Sequence, residues 1–331
     1  MEFKRWVLRF LVFGEVIICI VLGYRLFLNI QLRKNVLGAQ YVTRINKNSV
    51  ITPPDKYLKS YYELKPNTTE TEQPDWLPHS ITYSYNAEGI RDEINYPIPK
   101  PPDTYRVLTM GDSFTFGAYV PLADTYSKKL ASLLNNSSCS SQMKFEVINL
   151  GVPGYDIQYA VEHFRIHGVK YDPDLVLWLV NEHNVLQLRD LLTPLSEKIE
   201  KETSESAKLN YQKTYGYYFA NDIAQREIEQ HLTDSYIFAV QRQAMNRLSE
   251  MYSGPLIITT FSRDRPDVED VLKGFAIKRR NTYFNDTLPQ LDMNKGERFP
   301  DDHPSEVGHT IIAQEIFEYL QQSHIVSCLS L

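Results

Sequence analysis

From residue 104 onward, short apolar segments rich in β-branched residues alternate with longer segments of helical periodicity. This alternation is typical of a parallel β-sheet with helices on both faces. The sequence therefore predicts an α/β domain of three layers, α/β/α, over residues 104–325. We expect strands at 105–110, 145–150, 174–180 and 255–260, and helices at 123–135, 156–168, 222–252 and 304–322.

Composition and charge narrow the class of protein. The chain has 331 residues, 43% of them hydrophobic, which is enough for a large buried core. Its formal net charge is -6, and we see no basic stripe interleaved with aromatic residues, so a nucleic-acid partner is not expected. The cysteines, Cys19, Cys139 and Cys328, lack the CxxC spacing of a zinc site. We expect no metal and unpaired thiols, with a Cys139–Cys328 pair as the alternative outside the cytosol.

The N-terminus contains a long apolar run, residues 10–30 (FLVFGEVIICIVLGYRLFLNI), with basic residues on both sides. About 20 apolar residues span a bilayer as a helix. No small-x-small cleavage motif follows, so we expect residues 1–35 to be a transmembrane signal anchor rather than a removed signal peptide. The alternative is an amphipathic helix on the membrane surface or on the fold. We expect a single-pass membrane protein with its globular domain outside the cytosol, but similar basic charge at both ends leaves the topology open.

Two segments do not fit the α/β alternation. Residues 36–103 are polar and rich in proline and charge, and are predicted to be a stalk or extended arm. Within them, residues 80–93 (SITYSYNAEGIRDE) alternate enough to form short strands against the domain. Residues 186–222 are charged and too long for an ordinary connection. We expect an insertion there, either a lid or partner surface or a plain solvated helix.

Polar residues follow the first predicted strand in VLTMGDSFTFG, residues 107–117. Parallel α/β sheets bind ligands beyond the carboxyl ends of their strands. Ser113 stands directly after such an end and is therefore a candidate nucleophile. The alternative is that Asp112 and Ser113 only cap a helix, because both residue types are good N-caps.

Three later segments also place polar groups at strand ends or helix starts. In NLGVPGYD the N–H of Gly154 can face a developing oxyanion, although such turns are often purely architectural. In WLVNEHNV an asparagine amide can do the same. In FPDDHPSEVGHTIIA, His303 follows Asp301 by two residues and can act as a general base oriented by that acid. A helix-capping cluster and a packing role for His309 are the alternatives there.

The segments VLTMGDSFTFG, VINLGVPGYD and DDHPSEVGHTIIAQEIFEYL resemble the sequence blocks of the SGNH, or GDSL-type, hydrolase superfamily, and YNAEGIR resembles the lead-in of its bacterial members. The resemblance covers about residues 80–322. It implies a flavodoxin-like parallel sheet, a Ser113 nucleophile and an Asp301–His303 pair. It also implies an oxyanion hole formed by the N–H groups of Ser113 and Gly154 with an asparagine. In the family that asparagine belongs to the third of four blocks, which corresponds here to the segment WLVNEHNV. No metal or organic cofactor is implied.

The third block departs from the family pattern Gly-x-Asn-Asp. Residues 180–184 are Val-Asn-Glu-His-Asn, and His183 occupies the position expected for the asparagine. Asn184 or Asn181 can complete the oxyanion hole, or His183 can donate in their place. Loss of one such donor costs on the order of a hundredfold in rate, so the departure bears directly on activity.

In the last block the acid stands two residues before the histidine, whereas the family often has an offset of three. Asp301 is therefore the preferred partner of His303, and Asp302 the alternate. The prediction is a membrane-anchored serine esterase for O-acyl esters, O-acetyl among them, of a glycan or lipid. An O-acyltransferase with the same residues and a catalytically inactive binding or scaffold module are the alternatives. The sequence specifies neither the acyl group and alcohol nor the oligomeric state and protein partners.

Overall fold

The structure, a computed structural model, describes residues 48–215, 219–261 and 265–329. Its strands form two small antiparallel pairs near the start of this range and one larger parallel sheet after it. In chain order they are β1 (Val50–Ile51), β2 (Glu63–Leu64), β3 (Thr69–Glu72), β4 (Ile81–Ser84), β5 (Thr104–Met110), β6 (Lys144–Asn149), β7 (Leu175–Leu179), β8 (Leu256–Thr259) and β9 (Thr282–Asn285).

The central sheet has the order β6-β5-β7-β8-β9, and every neighbouring pair is parallel. The prediction of a parallel α/β sheet is confirmed, and its four predicted strands agree with β5 to β8 to within one residue at each end. Strand β9 was not predicted. It has four residues and only one of them is buried, so it lacks the apolar run that identifies the inner strands.

Helices cover both faces of this sheet. Val107 and Leu108 of β5 point to opposite faces, as successive strand residues do, and belong to two separate cores. The helices are α1 (Ser113–Phe116), α2 (Tyr126–Asn135), α3 (Ile157–His163), α4 (Glu182–Leu186), α5 (Arg189–Glu202), α6 (Glu205–Tyr215), α7 (Phe219–His231), α8 (Asp234–Met251), α9 (Pro266–Lys278) and α10 (Glu306–Ser323). Helices α2 and α10 pack on one face, and α3 and α8 on the other, which completes the three layers.

The predicted insertion is helical. Helices α5 and α6 occupy most of it, and α5 packs against α7 through Leu192, Ala224 and Ile228. The single helix predicted over 222–252 is two helices, α7 and α8. They separate before Thr233, whose side chain caps α8 by accepting the N–H of Tyr236.

The segment predicted as a stalk or arm belongs to the fold over its described residues, 48–103. Tyr61, Leu64 and Ile90 are buried in the same core as Leu108 of the central sheet. The stalk interpretation is therefore wrong for these residues, because both residues of β2 are buried and the alternating Ile81 and Tyr83 give β4 one buried face. The strands expected within 80–93 are present as β4 and a bridge between Tyr85 and Arg91.

Cys139 and Cys328 are joined by a disulfide, with their Cα atoms 5.3 Å apart. The expectation of unpaired thiols is therefore wrong, because two short 3₁₀ helices, Ser138–Ser141 and Ser327–Leu329, bring the cysteines together from distant parts of the chain. The predicted signal anchor, residues 1–35, lies outside the described residues. Among the helices that are described, none combines the length and hydropathy needed to cross a membrane.

Candidate active site

The glycine after β5 sets the direction in which the chain leaves the sheet. Gly111 has φ +151°, and a Cβ there would lie 2.2 Å from Thr115 Oγ1 and 2.8 Å from the Leu179 carbonyl oxygen. Only glycine therefore fits between β7 and α1. Asp112 caps α1 by accepting the N–H of Phe114 at 2.9 Å, and Ser113 is the first residue of the helix. The turn places Ser113 at the carboxyl end of the sheet, where α/β folds bind ligands.

Ser113 and His303 are in direct contact. The Oγ of Ser113 lies 2.8 Å from Nε2 of His303, and both side chains are buried. Oδ2 of Asp301 lies 3.0 Å from Nδ1 of the same imidazole, although Nδ1 makes no well-aligned hydrogen bond. Oδ1 of Asp301 accepts the backbone N–H of His303 at 3.3 Å, which holds carboxylate and imidazole together. Catalytic hydrogen bonds are often poorly aligned before substrate binds.

The alternate acid faces elsewhere. Oδ1 of Asp302 forms a 2.8 Å ion pair with the Arg298 guanidinium, and Asp302 has a left-handed backbone with φ +68°. Burial raises the pKa of Asp302. Of the two aspartates, Asp301 is the one whose carboxylate contacts Nδ1 of His303.

Aromatic rings surround the imidazole of His303. Phe114 lies 5.3 Å from it and Tyr119 lies 5.1 Å from it, measured between ring centroids. Trp76, from the segment between β3 and β4, extends this wall through contacts with Tyr119 at 5.0 Å and Phe299 at 5.3 Å. The structure thus brings a residue of the predicted arm to the edge of the candidate site.

The third-block side chains converge on Asp112. Its Oδ2 lies 2.6 Å from Nε2 of His183, and it accepts the Nδ2 of Asn184 at 3.0 Å and the Nδ2 of Asn181 at 3.2 Å. Burial alone raises the pKa of Asp112. The hydrogen bond and charge of His183, with the bonds from Asn184 and the Phe114 N–H, outweigh that effect and lower the pKa to about 2. Asp112 is therefore ionised, and it orients the whole third block.

The hydrogens of the two asparagine amides are used differently. Asn184 donates from Nδ2 both to Asp112 and to the Tyr155 carbonyl at 2.8 Å, and its Oδ1 accepts the N–H of Asn181 at 2.7 Å. A side-chain amide has two hydrogens, so Asn184 has both engaged. The Nδ2 of Asn181 contacts Asp112 alone.

The loop that contains Gly154 is fixed by hydrogen bonds to two of its carbonyl groups. Tyr62 donates its hydroxyl to the Pro153 carbonyl at 2.7 Å, and Nε of Arg189 donates to the Gly154 carbonyl at 2.5 Å. Gly154 has φ +77°, and a Cβ there would lie 2.3 Å from Nη2 of Arg189. In a trans peptide the C=O and N–H point in opposite directions, so the Tyr62 bond directs the Gly154 N–H away from Tyr62. Among the described residues, no group accepts the N–H of Gly154 or of Ser113.

Sequence reasoning missed two contributions to this site. Asp112 was considered only as a helix cap, yet it holds three third-block side chains; a carboxylate next to the nucleophile was the available signal. Tyr62 and Trp76 were missed because they lie in the segment predicted as a stalk or arm. No local pattern identifies them, since their contacts are set by the tertiary packing of the arm.

No protein-family model and no curated protein matches the chain. Among solved structures, it is similar to a member of the lipolytic G-D-S-L family from Veillonella parvula, with 16% identity over 65% of this chain and 97% of that chain, and a TM-score of 0.40. An acetylxylan esterase from Geobacillus stearothermophilus has 16% identity over 65% and 93%, with a TM-score of 0.40. A family 3 carbohydrate esterase from Clostridium thermocellum has 13% identity over 69% and 100%, also with a TM-score of 0.40. These structural neighbours are esterases of the GDSL and carbohydrate-esterase types. Counted from β5, the five-stranded parallel sheet has the order 2-1-3-4-5, which is the flavodoxin-like order.

Proposed function

We propose that the protein is a membrane-anchored serine esterase of the SGNH type that hydrolyses O-acyl esters of a glycan or lipid. One observation carries the proposal: the 2.8 Å contact between Ser113 Oγ and His303 Nε2, with Asp301 on the other side of the imidazole. A nucleophile, a base and an acid that orients the base are the three groups of Ser-His-Asp chemistry.

The reaction has two halves. Ser113 Oγ attacks the ester carbonyl carbon while Nε2 of His303 takes the hydroxyl proton, and a tetrahedral oxyanion forms. The C–O bond to the alcohol then breaks, and the alcohol leaves with the proton from His303, so that Ser113 carries the acyl group. Water repeats the sequence on the acyl-enzyme, releases the acid and restores Ser113. Asp301 keeps Nδ1 of His303 as the donor and stabilises the imidazolium.

The oxyanion hole consists of the N–H groups of Ser113 and Gly154 with the side-chain amide of Asn181. Its support is the hydrogen count: both N–H groups lack an acceptor among the described residues, and Asn181 contacts only Asp112. Asn184 has both hydrogens engaged and acts as a positioning residue. His183, one quarter exposed, stays in place by its bond to Asp112. Preorganised donors of this kind contribute about 3 kcal/mol each to the transition state.

The substrate is an acylated glycan. Trp76, Tyr119 and Phe299 form an aromatic wall beside His303, and aromatic rings offer flat apolar faces for the C–H faces of sugars. The substrate lies outside the cytosol, with the chain held in the membrane by residues 1–35. Two features support this location: the apolar run 10–30 and the disulfide between Cys139 and Cys328, a bond that persists in oxidising compartments.

The test is labelling of the full-length chain with a fluorophosphonate serine probe, followed by mass spectrometry of the adduct. We expect an adduct on Ser113 that is lost in Ser113→Ala and in His303→Ala. The matched control is His309→Gln, a buried histidine that bonds the Tyr126 N–H instead of Ser113. No adduct on folded wild-type protein would overturn the proposal in favour of an inactive binding module. Acetate release from an acetylated xylan, with and without added sugar acceptors, then separates hydrolysis from acyl transfer.

A further inference from the structure

A second cluster of chemically active side chains lies away from Ser113. Glu63 of β2, His163 at the end of α3, and His167 in the π-helix Phe164–Gly168 bring their ligand atoms within 4.8 Å of one another. Nε2 of His167 lies 3.0 Å from Oε1 of Glu63, and the two imidazole centroids are 4.6 Å apart. Two imidazoles and one carboxylate are thus gathered in the interior, between the arm and α3.

The contacts inside this cluster are close but poorly aligned. Both ring nitrogens of His167 are buried and neither makes a well-aligned hydrogen bond, although Nε2 lies 3.0 Å from the Glu63 carboxylate. Buried polar atoms are nearly always hydrogen-bonded to protein or water, so a buried imidazole without an aligned bond, beside a carboxylate and a second imidazole, is an unusual arrangement that a bound ion would explain.

The surrounding groups suit ligation. The Tyr61 hydroxyl lies 3.0 Å from Nδ1 of His163 and donates to Oε1 of Glu63 at 3.1 Å. Oε2 of Glu88 lies 3.9 Å from Nδ1 of His167, and Glu88 is itself paired with Lys170. Metal-bound imidazoles and carboxylates usually have such outer partners, which fix ring orientation and tautomer.

The backbone supplies an independent indication. His163 and His167 are separated by three residues, and two histidines four apart on one helix face form a common zinc motif. Here the second histidine lies in a π-helix, which widens the turn between the two rings. Short π-helices are rare and are frequently found at functional sites.

The geometry points to a zinc-binding site formed by Glu63, His163 and His167, with a fourth position for water. Ligands bound at about 2.0–2.1 Å in a tetrahedron lie about 3.3 Å apart, which is close to the 3.0 Å between Glu63 and His167. Cysteine spacing gave no sign of this site because its ligands are histidine and glutamate. The ion would fasten the arm, through Glu63, to α3 and the π-helix. This inference does not depend on the proposed esterase activity.

The test is zinc binding to the full-length chain. After chelator treatment and desalting, the wild type is expected to take up one zinc ion per chain, measured by elemental analysis, and its unfolding temperature is expected to rise when zinc is returned. Glu63→Gln and His167→Asn are expected to weaken zinc binding by at least about tenfold. His309→Gln, which changes a buried histidine outside the cluster, and Ser113→Ala are expected to bind zinc as the wild type does.

Two results would overturn the inference. The first is a wild-type chain that binds less than a stoichiometric amount of zinc and shows no change in unfolding temperature. The second is unchanged zinc affinity in His167→Asn, which would place the ion elsewhere. The chelation experiment needs no variant, so a variant that fails to fold does not remove the test. A cobalt(II) titration provides a spectroscopic check, since ligation by imidazole and carboxylate gives visible absorption bands that a loosely held ion lacks.

Discussion

The two sides of the candidate site differ in which groups their polar side chains contact. On the proposed nucleophile side, His303 contacts both Ser113 and Asp301 directly, one with each ring nitrogen. On the oxyanion side, the third-block side chains contact the carboxylate of Asp112. Proximity to the nucleophile therefore does not assign a role. A role is assigned by the number of donor hydrogens that each side chain has free of protein acceptors, and the two sides can be tested separately by substitution.

The largest effect is expected on the nucleophile side. Replacing His303 with Gln removes the base while keeping a polar side chain of similar length. We expect kcat/KM for an aryl acetate to fall by about a thousandfold or more, because nucleophile and base act as a unit. The double variant with Ser113→Ala should lose little more than the single one. Independent, multiplying losses would show that His303 does not act through Ser113.

Next in size is the effect of Asp112→Asn on stability. The variant leaves the donor of His183 facing an amide in a buried position, so we expect a loss of about 3 kcal/mol in the free energy of unfolding. The folded pKa of about 2 lies below the unfolded value near 3.8, so ionised Asp112 stabilises the fold above about pH 4, and this contribution is lost as the pH falls through about 2. Urea titrations at several pH values should show a shallower acid dependence in the variant.

The control for that experiment is Asp124→Asn, since Asp124 forms a partly exposed ion pair with Lys129 at 2.9 Å. We expect a change below about 1 kcal/mol there, as for most exposed pairs. Equal losses in the two variants would mean that Asp112 is an ordinary helix cap and that the third block does not depend on it.

The third block itself gives the next effect. Because the Nδ2 of Asn181 donates to Asp112 alone among the described residues, we expect Asn181→Ala to lower kcat by about a hundredfold with little change in KM. Asn184→Ala should instead lower the unfolding temperature, since Asn184 bonds Asp112, Tyr155 and Asn181. If His183→Gln lowers kcat more than Asn181→Ala does, the third donor is His183, as the position in the family pattern suggests.

These cases show what the sequence could and could not predict. The parallel sheet and the strand ends at Met110 and Asn149 follow from apolar runs that stop at a glycine or polar residue, which is local information. The contacts of Tyr62 with Pro153 and of Cys139 with Cys328 join segments far apart in the chain, and no periodicity encodes them. Asp112 is an intermediate case. The sequence places a carboxylate next to Ser113, but it does not predict the three side chains that donate to that carboxylate.

The smallest effect tests whether the arm takes part in the chemistry. Tyr62→Phe keeps the ring contacts with Tyr155 and Tyr159 but removes the hydroxyl that holds the Pro153 carbonyl. The Gly154 N–H would then be less well directed, and we expect kcat to fall about tenfold at unchanged KM, well short of the loss of a donor. Tyr159→Phe is the matched control, because its hydroxyl contacts Asp190 at 3.4 Å instead of the Gly154 loop. A rise in KM without loss of kcat would mean that Tyr62 contacts the substrate instead of positioning the Gly154 loop. Equal behaviour of the two variants would mean that the arm only packs against the site, and that the loop keeps its shape through Arg189 alone.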